Sequence, residues 1–269
     1  MTSAIDAVRS GPRRGSLFWI LDDYWEMARR SLNHIRHDPE QLINVTLQPV
    51  LTVVVMNFLL GGAISTGGHE RYIDYVMPGI LIVAIAFAAV TTTTSVAADV
   101  SDGVVDRFRT LPIAKPSVIA GHVVADLVRS GFGVVVTAGA GIAIGFRPHA
   151  GVGSWLAVAG VLALTALGLS WLAALIGLLG RSLEVTQQLS ALLILPVFFS
   201  SALVPTDTMP GWLRIVLANQ PVSQAVDALR ALLLNQPAGD HLWLALVEFG
   251  GITVVAGVLA GVLFQRSTR

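Results

Sequence analysis

The chain has 269 residues, 54% hydrophobic and 13% charged, with a mean hydropathy of +0.72, against about 45–50% apolar and about 25% charged in soluble domains, so its main solvent is lipid. A net charge of +0 and a pI of about 7.0 leave no basic surface for nucleic acid. The absence of cysteine excludes disulfides and thiolate metal sites, and the six histidines are scattered.

Residues 1–16 are polar, with Arg9, Arg13 and Arg14, and no apolar core with a small-residue cleavage site follows. The N-terminus is therefore not expected to be a cleavable signal peptide. Over 17–37, Leu17, Leu21, Tyr24, Ala28, Leu32 and Ile35 recur at three-to-four spacing, while Asp22, Asp23, Glu26, Arg29, Arg30, Asn33 and Arg36 take the other face. With Phe18, Trp19 and Trp25 this predicts an amphipathic helix lying in the membrane interface. A soluble helix packed on a partner is the alternative reading.

Pro39 breaks the chain, and six apolar runs follow, at about 41–62, 75–98, 117–145, 153–179, 187–204 and 241–264. A transmembrane helix needs roughly 20 apolar residues, so the expected fold is all-α and integral to the membrane, one transmembrane domain with six spans. Between spans five and six, residues 205–240 are half polar and punctuated by Pro205, Pro210 and Pro221. Two short helices, within about 210–234, fit between these breaks. They are too short to span, and irregular backbone at membrane depth must be buried in protein or line water. With the N-terminus inside, the inside segments hold twelve Lys and Arg and the outside segments four, Arg71, Arg147, Arg214 and Arg230. That bias predicts two cytoplasmic termini in a plasma (inner) membrane.

Some chemistry is missing. A phosphate-binding loop of the form G-x-x-x-x-G-K-[ST] needs a lysine, but the single lysine, Lys115, follows Ala114. ATP-driven work would therefore need another polypeptide to bind the nucleotide. Ser130 and Ser170 lie in spans, and His122 and His241 near span ends, but none sits in a nucleophile motif. The chain is read as a non-enzyme with no metal or cofactor of its own.

The loop Asp99-Val-Ser-Asp102-Gly103-Val104-Val105-Asp106-Arg107-Phe108-Arg109-Thr-Leu111-Pro112 falls inside. Val104, Val105, Phe108 and Leu111 make one apolar side of a short helix, about 99–111, suited to docking in a groove of a soluble partner. An ordinary polar loop is the plainer reading. Asp126 and Arg129, one turn apart on span three, form either a polar patch on the cytoplasmic entrance of a pathway or a structural salt bridge. Thr91, Thr92, Thr93 and Thr94 either line a polar conduit or bond back to their own helix. Glu248 faces a pathway or another helix, and Asp227 and Arg230 read as a structural pair. The pairs Gly141/Gly145 and Gly257/Gly261 suit helix packing.

These elements resemble, in order and over nearly the whole chain, the permease subunits of ABC-2-type exporters of the daunorubicin/doxorubicin-resistance type. The resemblance rests on the amphipathic leader, on Gln48-Pro49, and on Gly103 to Arg107 and Arg109-Thr-Leu-Pro112. It continues through Gly121-His-Val-Val-Ala-Asp126-Leu-Val-Arg129 and Gly145-Phe-Arg-Pro148. The last block is Val204-Pro-Thr-Asp-Thr-Met-Pro-Gly-Trp212, then Asn219-Gln-Pro221 and Ala228-Leu-Arg230. His122 departs from the pattern, which often has arginine there.

The resemblance implies two six-span permeases, identical or related, working with two separate ATP-binding subunits that hold ATP and Mg. It makes the loop helix a coupling helix, with Asp102, Gly103, Val104, Asp106, Arg107, Phe108, Arg109, Leu111 and Pro112 seated on the ATPase. It makes Pro205, Pro210, Trp212, Pro221 and Arg230 part of an outer gate. Thr91, Thr94, Asp126, Arg129 and Glu248 are the candidate pathway residues. Aromatics are 7%, which favours an amphipathic drug or lipid-like cargo over a sugar polymer. The alternative from another class is an ion-coupled transporter or channel with no ATPase.

Overall fold

A computed structural model of the chain describes residues 39–62, 71–101, 116–180, 182–204 and 210–267. Every regular element among them is a helix. Helix α1 covers Pro39–Val55 and continues as a π-helical turn, Met56–Leu60. Then come α2 (Tyr72–Ser101), α3 (Pro116–Ile144), α4 (Val152–Leu179), α5 (Leu183–Phe198), α6 (Gly211–Ala218), α7 (Pro221–Leu233) and α8 (His241–Ser267). Helices α2, α3, α4 and α8 are long and apolar enough to cross a membrane, and α1 and α5 contain shorter apolar helices, Val45–Leu59 and Leu183–Phe198. The leader helix expected at 17–37 lies outside the described residues.

Three helix ends differ from the sequence expectation. Residues 99–101, expected to open the loop helix, continue α2 to Ser101. Helix α5 starts at Leu183, ahead of 187, because the Ser182 hydroxyl caps it by accepting the Val185 N–H at 3.3 Å. It stops at Phe198, well short of 204. Pro196 supplies no N–H to its last turn, and the chain then turns through 199–204.

Helix α2 is the centre of the bundle. It packs on α1, α3, α4, α5 and α7, and its middle, residues 76–90, is apolar all round. Ile80, Ile82, Val83, Ile85 and Ala89 are enclosed by these neighbours. Helix α8 is the opposite case: it packs on α4 and α7, while Val254, Val255, Val258 and Val262 face outward. The closest approach to α2 depends on Gly79. A Cβ there would lie 2.5 Å from Ala202 O and 2.6 Å from Ala202 Cα, so only glycine lets the segment after α5 rest on this helix. At Gly177 of α4 a Cβ would lie 2.8 Å from Thr93 O, which allows α2 and α4 to cross closely.

The expected glycine pairs are each half packing sites. Gly141 abuts the Met77 side chain and Gly257 faces the Trp171 ring, but Gly261 has nothing within 4 Å. Gly145 instead ends α3, at φ +125°. The N–H groups of Gly145 and Phe146 both reach Gly141 O, at 3.0 and 2.9 Å, and Phe146 is buried. The Arg147 N–H then donates to Asp74 Oδ1 at 3.1 Å, and Arg71 Nε donates to Asp74 Oδ2 at 3.2 Å. Asp74, in the first turn of α2, thus ties the exit of α3 to the entrance of α2. This gives Gly145 and Phe146 their roles in the sequence, and the Arg147 side chain adds a bond from Nη1 to Ile142 O at 3.2 Å.

Helix α7 closes the end of the bundle at which α2, α4 and α8 begin. Its core side, including Val222, Ala225, Val226 and Leu229, is buried against α2, α4 and α8. Pro221 starts it with a preset φ. Asn235 at φ 56° ends it, with Gln236 N–H on Ala231 O at 2.7 Å.

Candidate functional site

Two polar clusters stand out in this apolar bundle. The first joins α2, α3 and α4. Helix α3 brings Asp126 and Arg129, at 0% and 5% exposure. Thr92 of α2 donates to Asp126 Oδ1 at 2.7 Å, and Ser170 of α4 donates to Asp126 Oδ2. Arg129 Nη2 donates to Thr92 Oγ1 at 2.7 Å and lies 3.7 Å from Asp126 Oδ1. The expected i,i+3 salt bridge is therefore present, with one hydroxyl from each of two other helices. An uncompensated charge here would carry a large desolvation cost. The network offsets that cost by giving both carboxylate oxygens a donor, and it ties three helices at one point.

The threonine row divides. Thr92 belongs to the network. Thr91 donates to Phe87 O at 3.4 Å, Thr93 to Ala89 O at 3.1 Å and Thr94 to Thr91 O at 2.9 Å. Those three hydroxyls bond to their own helix. Glu248 sits partly buried on α8, and its Oε2 is enclosed without a hydrogen-bond partner.

The second cluster lies at the α7 end. Arg230 uses all three of its nitrogens: Nη1 donates to Asp227 Oδ1 at 2.5 Å, Nη2 to Ser201 O at 2.8 Å and Nε to Tyr75 O at 3.1 Å. Its guanidinium lies 3.8 Å from the Tyr75 ring centroid. The Tyr75 hydroxyl donates to Ser201 O at 3.0 Å, Ser201 Oγ to Asp227 Oδ1 at 2.8 Å, and the Tyr72 hydroxyl to Leu203 O at 2.9 Å. The Ser201 and Leu203 carbonyls after α5 are thus satisfied by side chains of α2 and α7, as buried backbone requires. Gln220, beside Pro221, extends the cluster by donating to Pro196 O at 3.1 Å and to Phe199 O.

Of the other candidate gate residues, Pro210 caps α6, Trp212 is 71% exposed on α6, and Pro205 lies outside the described residues. The coupling candidates Asp102, Gly103, Val104, Asp106, Arg107, Phe108, Arg109, Leu111 and Pro112 also lie outside them. Flanking that loop, His122 Nε2 meets Asp99 Oδ2 at 2.9 Å, joining the ends of α2 and α3 that carry it. Among the described residues no group of three or more His, Asp or Glu could hold a metal ion.

Thr92 was weighed with its three neighbours as conduit or self-bonded, and it does neither, while Ser170, Tyr75, Ser201, Ser223 and Gln220 were not singled out as site residues from the sequence. Asp227 was read as a partner of Arg230, and that pairing is found. The only sequence signal for the others was indirect: a buried charge must find partners, and hydroxyls on neighbouring spans are the available ones.

Long apolar helices packed around a largely buried one, with polar networks between them, define a multi-pass helical membrane protein. The ABC-2 type transporter family matches residues 22–234, and the chain belongs to that family. It is 31% identical, over 88% of its length and 84% of the relative's, to the "Daunorubicin resistance ABC transporter permease protein DrrB1" of Streptomyces coeruleorubidus. It is 27% identical to the "Probable doxorubicin resistance ABC transporter permease protein DrrC" of Mycobacterium tuberculosis, over 90% of this chain and 87% of that one. A second protein of that organism, "Doxorubicin resistance ABC transporter permease protein DrrB", is 35% identical over 68% of this chain and 62% of its own.

Proposed function

We propose that this chain is the membrane subunit of an ATP-binding-cassette exporter that moves an amphipathic drug or lipid-like compound out of the cytoplasm. The observation that carries this reading is the family match over residues 22–234, joined by relatives named as drug-resistance permeases. No phosphate-binding loop occurs in the sequence, so ATP and Mg belong to a separate nucleotide-binding subunit.

In this reading α1, α2, α3, α4, α5 and α8 are the six spans, and α6 and α7 are the short re-entrant pair at the outer side. Both termini are cytoplasmic, following the Lys and Arg bias. Two permeases pair, as copies or as related chains. The 102–112 segment couples them to the ATPase, with Val104 and Phe108 in its groove. ATP drives the cycle to the extent that it stabilises one state of the complex over the other. The Arg230 cluster holds the outer segment after α5. Thr91, Thr94, Asp126, Arg129 and Glu248 remain the proposed polar positions along or beside the pathway.

The test is an affinity purification of the tagged chain in mild detergent, with the co-purifying chains identified by mass. The expected result is a soluble chain with a phosphate-binding loop, at about one per copy. Isolation of this chain alone, in detergents that keep other complexes whole, would sink the exporter reading and favour ion coupling. The variant Val104→Asp/Phe108→Asp then tests the coupling segment. It is expected to abolish ATPase association and ATP-driven flux, and unchanged assembly and flux would overturn the assignment.

A further inference from the structure

Helix α2 ends at Ser101 and helix α3 begins at Pro116. A single side-chain contact joins these two ends among the described residues. His122 Nε2 donates to Asp99 Oδ2 at 2.9 Å, with the His122 side chain 21% exposed and that of Asp99 39%. Nearer the end of α2, Ser101 Oγ turns back to Ala98 O of its own helix at 2.9 Å. Asp99–His122 is therefore the described bond between α2 and α3 that lies closest to the 102–115 segment.

The bond belongs to a longer seam. On α3, His122 and Asp126 are at i and i+4, and on α2, Thr92 and Asp99 are at i and i+7, so each pair shares a helix face. Thr92 donates to Asp126 Oδ1 at 2.7 Å. The two helices are thus tied at two levels, about 10 Å apart along α2. Beside the seam, Val96 of α2 and Ile119 of α3 pack with Ala174 of α4 and Phe264 of α8. Apolar packing resists separation, but it is non-directional and leaves helices able to slide and rotate. A directional bond at a second level fixes both motions. A partly exposed pair of this kind adds little to global stability, so its contribution is one of position.

We propose that Asp99 and His122 are positioning residues that make the adjoining ends of α2 and α3 one rigid body. This rests on the reading of 102–112 as the segment seated on the ATPase, and adds what receives its displacement. A load on a segment held between two helix ends either shifts both helices together or spreads their ends apart. With the bond in place it shifts both. The network of Thr92, Asp126 and Arg129 then carries the displacement to α4 through Ser170. Without the bond, part of the load is absorbed as splaying of the two ends.

The chain has no cysteine, so spin labels at Ser101→Cys and Ala120→Cys report the separation of the two ends by dipolar EPR. It is measured in the full chain alone, and in its complex with the ATPase, both nucleotide-free and trapped with ATP and vanadate. The expected result for the labelled parent is one narrow separation, the same in both nucleotide states. His122→Ala, and equally Asp99→Ala, should leave the unfolding midpoint in place. Each should broaden the separation at least about twofold and make it differ between the nucleotide states. The exchange Asp99→His/His122→Asp should restore the narrow, state-independent separation, which a role in packing alone does not predict. A separation in His122→Ala as narrow as the parent's, or one that the exchange does not restore, would overturn the proposal. So would a parent separation that changes between nucleotide states, since the two ends would then be a hinge. If no ATPase co-purifies, the coupling reading fails on that count alone, and the measurement on the isolated chain still decides whether the bond holds the ends.

Discussion

At the scale of single residues, Asp126 is the group with most at stake. It is fully enclosed and supplied by Thr92, Ser170 and Arg129. Removing one partner of a buried pair strands the other, a loss of about 3–5 kcal/mol. Asp126→Leu should therefore lower the unfolding midpoint in micelles sharply, and so should Arg129→Met. The double variant should be more stable than the worse single one. Additive losses in that double-mutant cycle would show that the pair is not coupled. The i,i+3 spacing of Asp126 and Arg129 was legible because it is local. Thr92 and Ser170 were not, because their contribution depends on how α2 and α4 rotate against α3. Among four consecutive threonines, nothing in the local sequence separates Thr92, which meets Asp126, from Thr93, which bonds its own helix.

At the scale of elements, the turn after α5 depends on one cation and one missing side chain. Arg230 reaches Asp227, Ser201 O and Tyr75 O at once. A lysine presents a compact point charge without the fork and leaves carbonyls unmet. In an Arg230→Lys background, Leu203→Cys should react with maleimide at least about tenfold faster, equal to about 1.4 kcal/mol of lost closure. An unchanged rate would mean that the turn is held without the arginine. Gly79→Val should push Ala202 off α2 and cost about 1–3 kcal/mol of unfolding free energy. Gly131→Val, at a site with nothing within 4 Å, should cost less. Equal losses would refute the close-approach argument. The apolar runs made each long helix readable, since length and composition suffice for that. They could not reveal which helix is central. An apolar surface suits lipid and protein neighbours alike, so α2 and α8 read the same though one is enclosed and the other outward-facing.

At the scale of the whole molecule, α2, α4 and α8 run one way and α3 and α5 the other. The Asp99–His122 contact and the exposed Ser182 mark the end opposite α7. In the topology proposed above, that end is the cytoplasmic one. Single cysteines at Asp240 and Ser182 check this in intact cells with a membrane-impermeant maleimide. Residue 240 should label directly and 182 only after permeabilisation, and the reverse would invert the topology. The enclosure of α2 also bears on biogenesis. This helix is synthesised before α4, α5 and α7, the neighbours that later surround it, so until they arrive it has only α1 and then α3 beside it. Its side chains are suited to that interval. Thr91, Thr93, Thr94 and Ser95 satisfy their hydroxyls on carbonyls of the same helix, needing no partner yet to be made. Thr92 instead meets a carboxylate that arrives with the very next span.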